Sequence, residues 1–401
     1  MVVVAFLLRI ATAALWSIHR FNMPYWATFE MANIGYALFL GHGFSDPWGL
    51  ITGPTAWTAP VYPWLVHLVF NLCGAYTTAS AWMLVTFNSV FSALTCWTVF
   101  RIARRLFGAR VATWAGWLWA FFPVAIYWPV TWIWETALSA FLLSLVFLVT
   151  LEMDGDDRLW HWFGFGLLWG LVALTSTSIL SWLPFAGCWL AYRLYRRGKA
   201  FVVPVMVSAL VFWVAISPWL VRNYVVFHRF IFIRSEFGSE LRAGNNPMAH
   251  GEFVREYRAG NNRELLDEFA RIGEAADNDK QGKLAREWIR ENPGRFLSLT
   301  LRRVLYFWIG PPHSEPKDLQ AAIIFLSLLS LGGLLVAVRR HAPGAFLLVT
   351  LMIVYPMVYY ITFTNNRYRH PIEPIMVVLA TYCLLAKPAT SVSDPSARIS
   401  A

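Results

Sequence analysis

The sequence predicts an all-α polytopic membrane protein. Of its 401 residues, 58% are hydrophobic and only 14% are charged, whereas soluble domains carry roughly 25% charged residues. Many of the 22 tryptophans stand near the ends of apolar runs, as expected for aromatic belts at the headgroup level. The net charge of +10 comes from short basic clusters between apolar runs, at 101–110 and 193–199. These clusters indicate cytoplasmic turns rather than a nucleic-acid-binding stripe.

The apolar runs give about ten transmembrane helices with both termini in the cytoplasm and every long polar loop on the outer face. The first run lacks a cleavage site and is expected to be retained. Two further apolar segments, 63–72 and 296–310, are predicted to lie at the membrane surface, the second because Arg302 and Arg303 stand in its middle. The predicted spans are 2–18, 79–100, 111–127, 129–151, both arms of a hairpin over 159–192, 201–220, 319–338, 345–363 and 375–386.

The same pattern divides the chain into modules. Residues 1–221 form an N-terminal membrane module with a first outer loop at 22–74. Residues 222–318 form a small helical extracytoplasmic cap with an interfacial segment, because they are too few for a large core of their own. Residues 319–386 return to the membrane, and the polar tail 387–401 is predicted to be disordered. Within the cap Arg-Ala-Gly-Asn-Asn occurs twice, starting at Arg242 and at Arg258, and turn chemistry explains the duplication without a structural repeat.

The first outer loop carries the candidate base. Ala27, Met31, Ile34 and Leu38 follow helical spacing and predict one apolar stripe resting on the membrane. Glu30 lies on another face of that helix, in a polar cleft where a carboxylate can take a proton. The alternative is an interfacial helix with an incidental acid, since solvated surface carboxylates are common.

A second acid, Glu135, stands at the outer end of a predicted span. An acid at a membrane boundary is costly and therefore a functional candidate. The alternative is a carboxylate that only starts a helix, where its charge suits the helix dipole.

The last outer loop carries a cationic group made of Arg367, Arg369 and His370. Arginine binds phosphate bidentately. Basic residues of membrane proteins are usually on the cytoplasmic side, so arginines on the outer side require an explanation such as a bound anion. The alternative is that these arginines snorkel or bind anionic headgroups.

Several short motifs, in this order and on this side of the membrane, resemble a bacterial member of glycosyltransferase family 39, which includes protein mannosyltransferases and lipid A aminoarabinose transferases. Each motif alone is weak, but together they cover nearly the whole chain. The motifs are Glu30 to Tyr36, Gly41-His-Gly-Phe-Ser-Asp-Pro47, Gly53-Pro-Thr-Ala-Trp-Thr-Ala-Pro-Val-Tyr-Pro63, Ser217-Pro-Trp-Leu-Val-Arg-Asn223, Gly244-Asn-Asn-Pro247 and Arg367-Tyr-Arg-His-Pro371.

The resemblance implies the GT-C fold, a catalytic acid on the first outer loop and a polyprenyl-phosphate-sugar donor. Glu30 matches the first-loop acid, Glu135 matches the acid of the second outer loop, and Arg367 and Arg369 match a position near donor phosphate. Relatives often have Lys-Pro-Pro where this chain has Thr58-Ala-Pro60, so a phosphate-contacting lysine is missing.

Other residues complete the expected site. Arg222 is a possible substitute for that lysine. Substrate contacts are expected from Asn33, Tyr36, Tyr62 and His370, which stand within these motifs.

The implied reaction is inverting transfer of a sugar, with Glu30 as base and polyprenyl phosphate as leaving group, to a lipid, glycan or protein acceptor at the extracytoplasmic face of a bacterial inner membrane. No cofactor is firmly expected. A divalent metal is possible, but the outer-face histidines His42, His313 and His370 show no ligand spacing, and neutral structural or substrate-contacting roles are expected for them. Two interpretations compete with this one. The first is a transporter or lipid-linked-glycan flippase, but such proteins bind their substrates near the bilayer midplane, whereas the isolated charges of this chain are predicted at the outer boundary. The second is a scaffold subunit whose catalytic site has been lost.

Overall fold

The computed structural model of the protein is helical and describes residues 1–17, 30–314 and 316–386. Within these ranges there is no β-strand, and two isolated bridges join Ser45 to Pro54 and Glu252 to Thr364. The predicted tail 387–401 lies outside the described residues.

The first ten α-helices are α1 (Val2–Thr12), α2 (Glu30–Phe39), α3 (Val61–Cys73), α4 (Thr78–Phe107), α5 (Ala109–Phe121), α6 (Pro123–Thr131), α7 (Thr136–Glu152), α8 (Leu159–Ala173), α9 (Leu183–Arg196) and α10 (Val202–Phe227). The others are α11 (Phe237–Gly244), α12 (Arg263–Ile272), α13 (Glu274–Glu291), α14 (Pro293–Ile309), α15 (Gln320–Arg339), α16 (Ala345–Val354), α17 (Met357–Ile361), α18 (Asn366–Arg369) and α19 (Glu373–Leu385).

The apolar helices confirm a polytopic membrane domain but not the predicted number of spans. Among the described residues, α4, α10 and the segment Lys317–Arg339 are long and apolar enough to cross a bilayer, and α5 with α6 adds a fourth if the bent pair is one span. Five shorter apolar helices accompany them, at Val2–Trp16, Val61–Cys73, Thr136–Glu152, Leu159–Ala173 and Ala345–Ile361. The figure of ten spans stays a prediction.

The predicted span 111–127 is not one straight helix. It breaks at Phe122, and its two halves, α5 and α6, are inclined by 44°. Pro123 begins α6, where its missing N–H costs nothing. At this bend the buried Arg9 donates from its guanidinium to the carbonyl oxygens of Ala120 (3.2 Å) and Trp119 (3.3 Å). A charged residue inside the first apolar helix is thus explained by the bend.

The apolar stripe of the first outer loop is present, but it does not rest on lipid. Met31, Ile34 and Leu38 are buried, and α2 packs on α3. Contact is so close at Gly35 that a Cβ atom there would lie 2.5 Å from Val66. Ala27 lies outside the described residues. The stripe therefore fixes α2, with Glu30 at its first position, on the membrane domain.

The cap begins later than predicted, because α10 continues through Arg222 to Phe227. The end of α10 anchors the cap, since Trp219 Nε1 donates to the carbonyl of Ile233 (2.9 Å). Glu274 at the start of α13 accepts from the backbone N–H of Ala56 (2.6 Å) and from the hydroxyls of Thr55 and Ser235. The cap is thereby tied to the first outer loop.

Helix α14 packs against the cap, which accounts for its two arginines. The buried Arg303 donates to the carbonyl of Gly244 and to Asn245 Oδ1 (3.2 Å). Arg302 donates to the carbonyl of His250 (3.3 Å). Hydrogen bonds to the cap therefore explain why α14 carries two arginines. Their presence does not require that α14 lies at the membrane surface.

Candidate active site

Two cavities meet beneath the cap, and a wall of four side chains separates them. The inner cavity, about 430 Å³, lies among α7, the turn after α8 and α17. The outer cavity, about 650 Å³, lies under the loops of the cap. The wall residues, which line both cavities, are Trp134, Arg258, Arg367 and Tyr368.

Arg258 is the centre of this wall. Its Nη2 lies 3.2 Å from Glu30 Oε1 and 2.9 Å from Glu240 Oε1. Burial alone lowers the pKa of its guanidinium, but Glu30 and Glu240 more than compensate and hold the net pKa above its ordinary value. Its Nε is buried without a hydrogen-bond partner among the described residues. Arg258 is therefore a fixed cation with one donor to spare.

Arg234 is a second cation, on the inner side of the wall. Its Nη2 pairs with Glu236 Oε2 at 2.5 Å, and its Nε donates to the carbonyl of Trp57 (3.1 Å). This places it beside Thr58, which also lines the inner cavity and whose hydroxyl is buried without a partner in the described part of the chain. Thr58, where the resemblance implies a lysine, thus has an arginine from the cap next to it.

Arg367 is the third cation and has a different environment. Its guanidinium lies over the ring of Trp134, 4.1 Å from the centroid, with Trp132 5.6 Å away. Within 1–17, 30–314 and 316–386 no carboxylate forms an ion pair with it. A stacked arginine with unused donors at a cavity wall is suited to a bound anion.

Glu30 lies on the outer side of the wall. It begins α2, is buried, and lines the outer cavity. Its ion pair with Arg258 holds the carboxylate beside the point where the two cavities meet. The sequence-predicted base and one sequence-predicted cation, Arg367, thus line the same cavity.

Glu135 lies on the opposite side. It precedes α7 and lines the inner cavity, and its Oε2 is buried without a partner among the described residues. Burial leaves this oxygen without a donor in the described part of the chain, although Arg367 and Arg234 line the same cavity. Burial also raises the pKa values of Glu236 and Glu240, which repel each other. The site therefore holds less negative charge than its number of carboxyl groups implies.

Arg369 and His370 do not join the site. Both are buried and bound by Glu373, with Arg369 Nη2 2.8 Å from Oε1 and His370 Nδ1 2.6 Å from Oε2. Arg369 Nη1 also donates to the carbonyls of Trp308 (3.2 Å) and Ile323 (3.1 Å). Because neither residue lines the cavities, this geometry gives them structural roles instead of the phosphate and substrate contacts predicted for them.

Arg222 and Tyr62 are likewise structural. Arg222 donates to the carbonyls of Thr55 (2.6 Å) and Phe44 (2.7 Å), which clamps the first outer loop on α10. Tyr62 is fully buried and its hydroxyl donates to Asn88 Oδ1 (3.0 Å). Arg222 is therefore not the substitute for the missing lysine.

Asn33 and Tyr36 stabilise the loop rather than line a cavity. Asn33 Nδ2 donates to the carbonyl of Pro47 (2.9 Å). Tyr36 packs on Tyr76, with ring centroids 5.2 Å apart. Neither residue lines the inner or the outer cavity, so the substrate contacts predicted for them do not follow from their positions.

One cluster at the mouth of the outer cavity has the composition of a metal site. Ligand atoms of His250, Glu252 and His313 all lie within 4.8 Å of one another. His42, which the sequence also places on the outer face, is not part of this cluster, and its Nδ1 lies 3.6 Å from Asp46 Oδ2. Sequence spacing could not reveal the cluster, because His313 is far along the chain from the other two residues.

Comparison with known proteins agrees with this architecture. Residues 57–225 match a family model described as dolichyl-phosphate-mannose-protein mannosyltransferase. No curated protein matches the chain by sequence. The oligosaccharyltransferase of Archaeoglobus fulgidus in complex with Zn and sulfate is 12% identical with a TM-score of 0.53, over 96% of this chain and 48% of that chain. Its apo form gives a TM-score of 0.51, at 12% identity over 96% and 49%. ArnT from Cupriavidus metallidurans bound to undecaprenyl phosphate is 15% identical with a TM-score of 0.42, over 94% and 77%.

The chain thus spans about half the length of the archaeal oligosaccharyltransferase. The structural similarity confirms the predicted GT-C fold, and the family match supports the resemblance to GT-C glycosyltransferases over 57–225. The assignment to the bacterial branch of family 39 stays a prediction.

Proposed function

We propose that this chain, which has the GT-C fold and a segment matching the mannosyltransferase family, is a membrane glycosyltransferase of family 39. It transfers a sugar from a polyprenyl-phosphate donor to a lipid, glycan or protein acceptor. We further propose that it acts on the extracytoplasmic face of a bacterial inner membrane. The observation that carries the proposal is the wall between two cavities, where Arg258 and Arg367 stand beside an acid, Glu30, on the outer side.

The inner cavity is suited to the lipid side of the donor. Its lining includes Leu180, Phe232, Phe237 and Val358. Phe232 is 39% exposed and Phe237 51% exposed, and large exposed apolar side chains beside apolar helices are compatible with a hydrocarbon environment. A polyprenyl chain can follow this rim while its phosphate reaches the wall.

The three arginines are suited to the phosphate. Arg258 has an unpartnered buried Nε, Arg367 is stacked on Trp134, and Arg234 stands beside Thr58. Guanidinium groups bind phosphate with charge-assisted hydrogen bonds, which strengthen as negative charge develops on a leaving group. Arg234 then serves where relatives use the lysine that Thr58 replaces.

Glu30 is suited to the base because it faces the cavity opposite the lipid side. An acceptor hydroxyl in the outer cavity donates its proton to the Glu30 carboxylate as its oxygen attacks the anomeric carbon. The bond from that carbon to the phosphate oxygen breaks, and polyprenyl phosphate leaves with its charge on the arginines. Attack and departure on opposite faces invert the anomeric configuration. No step needs a metal ion.

Glu30→Gln tests this assignment. The amide keeps the size of the side chain but cannot accept the proton, so turnover should fall by about two to four orders of magnitude while donor binding changes little. The assay uses purified protein in lipid vesicles with radiolabelled polyprenyl-phosphate sugars and isolated membranes as acceptor. Transfer of label to the acceptor also separates a transferase from a flippase, which only moves the donor across the bilayer.

Glu256→Gln is the matched control, because Glu256 is an exposed acid of the cap and its substitution should leave turnover unchanged. A Glu30→Gln protein that transfers at the wild-type rate would refute Glu30 as base and move the search to Glu135. Failure of every tested donor with the wild-type protein, alongside translocation of the donor, would favour the flippase.

A further inference from the structure

The outer cavity has a second cluster of chemically active side chains, which the transfer reaction does not use. His250 and Glu252 stand on the loop after α11, and His313 stands on the turn after α14; all three line the cavity mouth. Their ligand atoms lie within 4.8 Å of one another, and Glu252 Oε1 is 2.9 Å from His313 Nδ1. The cluster joins two separate segments of the chain.

Both segments are held in place by hydrogen bonds, that of His313 through the carbonyl of the adjacent Ser314, which accepts from Asn366 Nδ2 (3.2 Å). Glu252 forms a bridge with Thr364, whose N–H donates to the carbonyl of Gly251 (3.2 Å). Arg302 donates to the carbonyl of His250 (3.3 Å). The positions of the ligand-bearing residues are therefore fixed by contacts outside the cluster, as a preorganised metal site requires.

Glu252 provides an independent reason to expect a cation. Its side chain is only 7% exposed, yet in the described part of the chain its ion-pair partner is His313 and not a lysine or arginine. A buried carboxylate is costly unless a positive charge compensates it. A metal ion supplies that charge, whereas His313, with a side chain 72% exposed, supplies it only when protonated.

The donor set decides the kind of metal. Two imidazoles and one carboxylate suit zinc and related transition metals, whereas calcium and magnesium prefer oxygen ligands. Three protein ligands leave at least one coordination position for water. We propose that His250, Glu252 and His313 bind one divalent ion of the zinc class at the mouth of the outer cavity.

The ion links the cap loop to the turn between α14 and α15, since Glu252 and His313 come from these two segments. It therefore stabilises the mouth of the cavity.

Direct metal binding tests the proposal without any activity measurement. The full chain, with its affinity tag removed, is purified in detergent, stripped with a chelator, and titrated with Zn²⁺ against a chromophoric chelator. We expect one ion per chain and a rise in melting temperature. Co²⁺ in place of Zn²⁺ should give the visible absorption of a low-symmetry site.

His313→Ala and Glu252→Gln should each weaken Zn²⁺ binding by at least about 100-fold. Mutation of a residue that only orients a metal ligand costs up to about 100-fold in affinity, and loss of the ligand itself costs no less. His42→Ala is the control, since His42 pairs with Asp46 and stands outside the cluster, and its affinity should equal that of wild type. Circular dichroism checks that each variant is folded.

Two results would overturn the proposal. One is a wild-type chain that binds Zn²⁺ no more tightly than the His313→Ala variant. The other is an equal loss of affinity in the His42→Ala control. In either case the contact between Glu252 and His313 is an ion pair with the protonated imidazole and not part of a metal site.

Discussion

Arg367 and Arg369 are two residues apart, but the structure gives them different environments, and one substitution made at both positions separates their roles. Arg367 is stacked on Trp134 at the cavity wall. Arg369 is buried and bound by Glu373. Replacing each with lysine retains the charge and removes the planar fork.

We expect Arg367→Lys to weaken donor use. A lysine keeps one hydrogen bond to phosphate and loses the second, which contributes about 1.5–3 kcal/mol when charged groups are involved. At 1.36 kcal/mol per factor of ten, kcat/KM for the donor should fall by about 10- to 150-fold. The loss of the stacking on Trp134 adds to this effect.

We expect Arg369→Lys to have the opposite pattern. Lysine can still pair with Glu373 but cannot also donate to the carbonyls of Trp308 and Ile323, and each lost hydrogen bond from a charged donor costs about 1.5–3 kcal/mol. The melting temperature in detergent should therefore fall, while donor KM per folded molecule stays unchanged.

The assay measures initial rates of sugar transfer over a range of donor concentrations, with folded protein quantified for each variant. Wild-type kinetics in Arg367→Lys, together with a raised donor KM in Arg369→Lys, would refute the assignment of the phosphate contacts. That outcome would move the phosphate contact from Arg367 to Arg369, the other arginine of the last outer loop that the sequence indicates.

Three further perturbations test other parts of the structure. Glu135→Gln keeps the size of a side chain that lines the inner cavity and removes its charge, so turnover should fall less than in Glu30→Gln, and an equal or larger loss would favour Glu135 as the base. Arg9→Met removes the hydrogen bonds to the carbonyls of Ala120 and Trp119 and should lower the melting temperature, with an unchanged melt showing that Arg9 does not hold the bend. A cysteine at Asn261, which lines the outer cavity, should react in intact cells with a membrane-impermeant thiol reagent in a cysteine-free background, and labelling from the cytoplasmic side alone would invert the topology.

Hydropathy and residue type were sufficient to predict the class of fold and the apolar stripe of the first outer loop. The stripe of Met31, Ile34 and Leu38 predicted α2 because burial of a helical face requires that spacing. The bend at Phe122 was not predicted, although Pro123 and the buried Arg9 are its local signals. Hydropathy averages over a window and does not register a change in helix direction.

The remaining site residues could not be found by the same reasoning. Arg234 and Arg258 come from the cap, where charged residues are common, and only their positions against Trp57 and Glu30 distinguish them. The repeated Arg-Ala-Gly-Asn-Asn offered a signal, since its second copy begins at Arg258. Arg369 shows the opposite difficulty. It stands beside a predicted site residue in the sequence, but its guanidinium forms an ion pair with Glu373, four residues further along the chain.

The exposed aromatic rim of the inner cavity has a consequence for substrate selection. A ligand whose head reaches the wall past Phe232 and Phe237 can leave the rest of its hydrocarbon tail dissolved in the bilayer before and after binding. The tail then changes solvent very little, so its length contributes almost nothing to affinity. Donors with the same sugar and different numbers of isoprene units should compete on nearly equal terms, and discrimination depends on the head group alone.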